Sequence, residues 1–433
     1  MSGQAPEKEE ISLKDLSLHW FKIYPFLSFS IDATLIEEHQ QKGNDKGVRK
    51  YIAIKIKEII AKLKIKLTAE EVDACVDFYL RDVNGFGPIQ GLMEDEAVTD
   101  ILINGYKTIY AEQNGRVIPT GVRFSNQHHV NDFLLRMLAQ SAMHMDASRS
   151  YVDFHLKDGS RVNAITAPLV KEGPVISIRK FSYQRFSLDD LVAKGSLLKE
   201  AAEFLKVVAQ ARLNVIISGG VGTGKTTMMN ALLKEVNPAE RIITIEDTYE
   251  LQLDEMHAVR MLSKGPNLDG GGEVSQRDLL KNALRMRPDR IIIGEIRGTE
   301  ILEMLQAMNT GMDGSIATVH ASSVAELPAR LANILTIAEV NMSVEALGIQ
   351  LANTLDIVIQ IKKHPEYGRY ISEISEVSGL DKGKLLFNEI YRCVIADDAL
   401  EKRYFPQNVG QKTLQKARDY GVSTDHITQV SDE

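Results

Sequence analysis

The chain has 433 residues, 44% of them hydrophobic and 25% charged, with a formal net charge of −8. That length implies several domains of ordinary soluble character, and the acidic balance argues against wholesale nucleic-acid binding, which needs a basic face. Cys75 and Cys393 are the two cysteines and form no CxxC pair, which excludes a disulfide framework or cysteine zinc site and indicates a reducing, cytosolic setting.

The opening residues, MSGQAPEKEE, lack the basic and apolar regions of a secretory signal. No apolar run in the chain approaches the ~18 residues of a membrane span. Residues 1–79 are predicted to be a helical region. In VRKYIAIKIKEIIAKLKIKL, Ile52, Ile56, Ile59, Ile60 and Leu63 share one face and the lysines lie opposite. The charges are interleaved rather than massed, so that stripe reads as a solvated surface rather than a membrane contact. LTAEEVDACVDFYLRDV begins with Thr68 as N-cap and Glu71 three residues on, the spacing of a capping box.

Residues 80–183 read as an α+β domain with a mainly antiparallel sheet. VTDILING and TIYAEQNGRVIP alternate apolar and polar residues, and Asn114-Gly115 is a hairpin turn signal. VNDFLLRMLAQSAMHM has helical spacing. Three short strands follow, SYVDFHL, SRVNAITAPL and VISIRKF, divided by Asp158-Gly159 and Gly173-Pro174.

Residues 184–433 change pattern. NVIISGG, RIITIEDT, RIIIGEI and GSIATVHA are β-branched runs suited to a parallel sheet buried on both faces. Helical stretches such as SQRDLLKNALRM and GTEILEMLQAMNTG separate them, which is the alternation of a doubly wound α/β core. GPNLDGGGEVS interrupts it and reads as a mobile loop.

SGGVGTGKTT fits G-x-x-x-x-G-K-[ST] in full, between a predicted strand and a predicted helix. The chain there must wrap a polyphosphate with its N–H groups inward, and glycine permits the positive φ and close approach this needs. Gly219, Val221, Gly222, Thr223, Gly224, Lys225, Thr226 and Thr227 are therefore the predicted nucleotide-binding residues. Lys225 is expected to reach the β- and γ-phosphates and the Thr226 hydroxyl to coordinate Mg²⁺, with the following helix start adding N–H groups and a positive dipole end. ATP and Mg²⁺ are the cofactors this pattern implies.

The next two strands carry acids at their C-terminal ends, where α/β folds bind ligands. IITIED delivers Glu246 and Asp247, and RIIIGEIRG delivers Glu295 in a Walker B-like strand whose usual terminal aspartate is replaced by Gly294. Glu295 is the candidate general base that polarises the attacking water. Glu246 is a candidate for the metal's water shell or for a share of that role. The fourth strand ends in ATVHAS, so His320 stands where it could sense the γ-phosphate, although a lone histidine is equally a structural group.

Taken together, the Walker A loop GGVGTGKTT, the acidic box TIEDTYELQL, the strand RMRPDRIIIGEIRG and the histidine box GSIATVHASS resemble the ATPases of type II and type IV secretion and pilus systems. GFGPIQGLMEDEAVTDILING, YVDFHLKDGSRVNAITAPL and ISIRKF resemble the CpaF-like branch that powers tight-adherence pili. The likeness covers residues 80 to 380, and Gly294 in place of aspartate is that family's own habit. It implies a RecA-like ATPase domain joined by a flexible linker to a smaller N-terminal domain, with nucleotide between the two. It further implies a homo-hexameric ring at the cytoplasmic face of the inner membrane, held there through platform proteins and not by any membrane segment of its own. Arg161 in DGSRVNA and Arg179 in SIRKF resemble positions from which the N-terminal domain reaches the nucleotide, the arginines Arg285, Arg287 and Arg297 of the core being candidates only for bracing. Two other readings stay open: a P-loop kinase, which would not explain so long an N-terminal extension, and a nucleic-acid motor, which the acidic balance and lack of an aromatic–basic stripe disfavour.

Overall fold

The structure, a computed structural model, describes residues 13–32, 34–36, 43–113, 115–141, 145, 150–181, 186–253, 256–265, 271–396 and 399–428. The chain divides into two compact units, Met1–Ser182 and Tyr183–Glu433.

In the first unit three helices, Leu13–Ser30, Asp45–Leu63 and Ala69–Asn84, enclose an apolar cluster. Ile52, Ile56 and Ile59 are buried in it, while Ile60 and Leu63 pack at its margin, because a 3.6-residue period carries these positions around to one stripe. The third helix opens on the expected capping box: the Glu71 N–H donates to Thr68 Oγ1 at 3.2 Å, and the Thr68 N–H donates to Glu71 Oε2 at 2.6 Å. This helix runs past residue 79.

Six strands follow, β1 (Val98–Asn104), β2 (Thr108–Gln113), β3 (Arg116–Pro119), β4 (Tyr151–His155), β5 (Arg161–Ile165) and β6 (Val175–Arg179). They form one antiparallel sheet in the order β3-β2-β1-β6-β5-β4. Gln113 pairs with Arg116, as a two-residue hairpin requires; Asn114 of that turn lies outside the described residues. The helix between β3 and β4 spans Gln127–Gln140, beginning three residues before its sequence stretch, and Ser141 Oγ donates to the Met137 and His155 carbonyls at its end; residues 142–144 of the stretch lie outside the described residues.

A buried polar node joins the helices to this sheet domain. Asp82, 2% exposed, takes His129 Nε2 at 3.0 Å and Arg136 Nη2 at 3.2 Å, and Tyr24 stacks on the His129 ring. Gly87 has φ of 53°, and a Cβ there would lie 2.1 Å from Asp82 Oδ1, so only glycine lets the chain pass this carboxylate.

The second unit is built on a nine-stranded sheet in the order β15-β14-β13-β12-β7-β11-β10-β8-β9. Its strands are β7 (Val215–Gly219), β8 (Ile242–Glu246), β9 (Ala258–Leu262), β10 (Arg290–Ile293), β11 (Ile316–Val319), β12 (Ile357–His364), β13 (Gly368–Asp381), β14 (Lys384–Ala396) and β15 (Ala399–Tyr404). Strands β7 to β12 are mutually parallel and β13 to β15 continue the sheet antiparallel. Side chains alternate between two apolar cores: Val215 and Ile217 enter one with the helix Lys199–Gln210, and Ile216 enters the other with the helix Glu300–Asn309. This is the doubly wound, RecA-like α/β fold, preceded by a smaller α+β domain and a helical region.

The sheet is larger than the four strands foreseen. β9 and β12 add parallel neighbours, and β13–β15 form a long hairpin extension whose partly exposed strands carry weak apolar patterning. Residues 266–270 of the interrupting segment lie outside the described residues, and Lys264 pairs with Val274 across it. At the far end, buried Glu376 of β13 caps the helix Gln411–Asp419, accepting from the Gly410 N–H at 2.6 Å, the Thr413 N–H at 3.2 Å and Thr413 Oγ1 at 2.7 Å.

Candidate nucleotide site

β7 ends at Gly219 and the helix Lys225–Leu233 begins six residues later, so the predicted strand–turn–helix is present. Gly222 and Gly224 take φ values of 68° and 100°, and a Cβ on Gly219 would meet the Ile361 carbonyl oxygen at 2.7 Å. Each of these three positions therefore requires glycine, by dihedral or by close approach. No side chain caps the first turn of the helix, which leaves its N–H groups free for an anion. Val221 is exposed at the loop tip, Thr223 Oγ1 donates to the Gly220 carbonyl at 3.0 Å, and Thr227 lies half-buried in the first helical turn.

Lys225 is nearly buried, and its Nζ donates to the Gly219 and Gly220 carbonyls at 3.2 and 3.0 Å. The same ammonium lies 3.1 Å from His320 Nδ1. Burial pushes the Lys225 ammonium below its usual pKa, opposed by the charges of Glu295 and Glu250. His320 Nε2 is 2.5 Å from Glu295 Oε1. His320 Nδ1 is also 3.1 Å from the Gly219 carbonyl oxygen; with the ring proton on Nε2, donating to Glu295, Nδ1 accepts from Lys225 and the Gly219 carbonyl is served by Lys225 alone. Glu295 is held on its other oxygen by Arg297 Nη2 at 2.7 Å, and Arg297 Nη1 reaches Asp247 at the same distance. Lys225, His320 and Glu295 thus come together, and Arg297 bridges Glu295 and Asp247.

Glu246 is differently placed. It ends β8, is 2% exposed, and spends Oε1 on the Glu250 and Leu251 N–H groups at 2.8 and 2.9 Å. Its Oε2 accepts from Thr244 Oγ1 at 3.2 Å. Burial pushes its pKa up, and those hydrogen bonds and Arg260 pull the other way. The acid that meets the Thr226 hydroxyl is Glu250, at 2.9 Å. Sequence reasoning missed it as a site residue. The signal lay in the acidic box TIEDTYELQL, but only the turn after β8 decides which of its acids faces the loop. Arg369, also missed, donates from Nε to the Gly222 carbonyl at 2.8 Å, a contact no local pattern announces.

Among the described residues no three acids, histidines or cysteines gather into a metal cluster. Thr226 and Glu250 offer two hard oxygen donors, which fit a magnesium ion whose remaining ligands are phosphate and water.

Arg161 and Arg179 belong to the first unit, where they are direct cross-strand partners on β5 and β6. Like charges so placed repel. Each is matched by an aspartate, Arg161 with Asp153 at 3.4 Å and Arg179 with Asp100 at 3.1 Å, and both guanidinium groups remain well exposed.

Residues 82–366 match the family described as "Type II/IV secretion system protein". The chain belongs to this family. Its relatives include a putative conjugal transfer protein of Mycobacterium tuberculosis, 31% identical over 300 residues that cover 68% of this chain and 85% of that one. They also include the type IV secretion system protein VirB11 of Bartonella henselae, 29% identical over 316 residues covering 64% and 87% respectively. Among solved structures, the VirB11 ATPase of the Brucella suis type IV secretion system, in complex with sulphate, is 26% identical, covers 68% of this chain and 97% of its own, and has a TM-score of 0.36. The pilus retraction motor PilT with bound ADP is 17% identical, with coverage of 68% and 82% and a TM-score of 0.48. No helix among the described residues is long and apolar enough to cross a membrane.

Proposed function

We infer that this type II/IV secretion family member is an ATP-hydrolysing motor of a pilus or secretion machine, and that its branch is the CpaF-like one serving tight-adherence pili. The carrying observation is the set of His320 and Glu295, just beyond the ends of β11 and β10, joined to Lys225 at the helix start of a complete phosphate loop. In this reading the loop amides and Lys225 bind the β- and γ-phosphates of ATP. Thr226 and Glu250 hold the magnesium side. Mg²⁺ supplies charge neutralisation of the transferring phosphoryl group.

Glu295 takes the proton of the attacking water, and Arg297 and His320 fix its two oxygens for that purpose. His320, touching both Lys225 and Glu295, is placed to register whether a γ-phosphate has displaced it. Arg161 and Arg179 are assigned the neutralisation of charge on the γ-phosphate, as exposed cations on a rigid sheet. The motor works as a homo-hexamer at the cytoplasmic face of the inner membrane, through platform proteins. Purified protein tests both parts: phosphate release from Mg-ATP should be measurable, and ring particles should be visible with nucleotide. Absence of hydrolysis with platform protein present would end the motor reading.

A further inference from the structure

Arg260 projects from β9, the edge strand of the large sheet, where its ladder partner on β8 is Thr244. Its guanidinium lies 4.4 Å from the centroid of the Tyr249 ring, and its Nε is 3.9 Å from Glu246 Oε2. Both Nε and Nη2 are buried, and among the described residues neither has a hydrogen-bond partner. Leaving guanidinium nitrogens dry and unpaired is costly, and groups so treated need a reason in the site they serve.

We propose that Arg260 is the positioning residue for the metal side of the nucleotide site. Its charge faces Glu246, a carboxylate drawn almost wholly out of water. An adjacent cation is what lets a buried carboxylate stay an acceptor for several N–H groups at once. Glu246 uses that capacity on the Glu250 and Leu251 N–H groups, which fixes the turn after β8. The turn in its fixed form presents the Glu250 side chain to the Thr226 hydroxyl. Tyr249, between the two acids in sequence, lies on the guanidinium face and secures the turn from another side. Arg260 therefore never touches nucleotide or metal; it acts through Glu246 on the backbone that aims Glu250. The inference rests on the ATP and Mg²⁺ reading given above.

The test measures the affinity of the full chain for a fluorescent ADP analogue, with Mg²⁺ and with EDTA. In the parent, Mg²⁺ should raise affinity about tenfold or more, a usual size for coupling between two ligands. Arg260→Met should leave the EDTA affinity unchanged and lose most of the Mg²⁺ gain, and Arg260→Lys should restore much of it. Glu250→Gln should lose the same gain, and the double variant should lose no more than either single one, because the two residues act in one line. A full Mg²⁺ gain in Arg260→Met, additive losses in the double variant, an equal loss of EDTA affinity, or no Mg²⁺ gain in the parent would each overturn the proposal. A parent that binds the analogue in neither condition overturns the nucleotide reading itself.

Discussion

His320 Nδ1 and Lys225 Nζ lie 3.1 Å apart, and with two loop carbonyls they keep the lysine folded back on its own loop. A phosphate entering the loop has to win the ammonium from these three acceptors. Lys225→Ala removes the one mobile cation of the loop, so binding of Mg-ATP and its hydrolysis should both be lost. Phosphate release at the parental rate would show the loop is not the site.

Glu295→Gln keeps the shape but removes the base, and its amide oxygen can accept from only one of His320 and Arg297. Binding of Mg-ATP should stay near normal while hydrolysis falls about 100-fold or more, the lower end of what a general base contributes. Equilibrium binding and steady-state turnover, measured on the same preparation, separate the two effects. If binding were lost instead, Glu295 would be a structural or metal group.

Arg161→Ala and Arg179→Ala should each lower hydrolysis about tenfold or more, a modest demand on an arginine that neutralises phosphoryl charge. The Walker A loop is untouched, so Mg-ATP should still bind. Removing either arginine relieves their cross-strand repulsion but also loses its exposed ion pair with Asp153 or Asp100, so thermal stability should change little. Parental turnover in both variants would leave the sheet domain without a part in the chemistry.

Burial pushes the Cys75 thiol up to about 12, and Cys393 is shifted in the same direction. Neither should react with a thiol reagent at pH 8 until the chain is unfolded, since the thiolate is the nucleophile. The sign for stability follows. A thiol with a raised folded pKa contributes in full below its unfolded value of 9.0 and loses that contribution as pH climbs toward about 12. The thermal midpoint of the parent should therefore fall more steeply across that alkaline window than that of Cys75→Ala.

Much of the core could be read because its determinants are local. The glycine spacing around Lys225 is dictated by one loop, and β7, β8, β10 and β11 are mostly apolar and buried at every position because both sheet faces are covered. The residues that escaped notice depend on distant partners. Glu250 and Glu246 are both acids of one box, and only the hydrogen bonds of the turn separate the buried one from the one at Thr226. Arg260 gains meaning from parallel pairing of β8 with β9, and Arg369 from a strand far along the chain. The boundary near residue 79 looked natural by texture, yet Asp82 in the same helix carries His129 and Arg136.

Glu376→Ala should cost about 3 kcal/mol, the upper range for bonds to a charged acceptor, because two backbone N–H groups and a hydroxyl lose their partner. Hydrogen exchange should rise first in Gln411–Asp419. Unchanged protection there would mean the apolar contacts of Leu414 and Ala417 hold the helix without its cap.

β13 has a mechanical character set by its two ends. At one end Arg369 contacts the phosphate loop; at about 3.3 Å per residue, the strand's last residue, Asp381, lies 12 positions further on, roughly 40 Å along the strand. A loop between those points would go slack, whereas this strand is held by β12 over Gly368–Glu376 and by β14 over Glu373–Asp381. Any displacement of Gly222 is carried along it as tension, with slight give at the register slips between Ile374 and Ser375 and between Val377 and Gly379. The Arg369 bond thus ties one end of a long strand of the sheet to the tip of the phosphate loop.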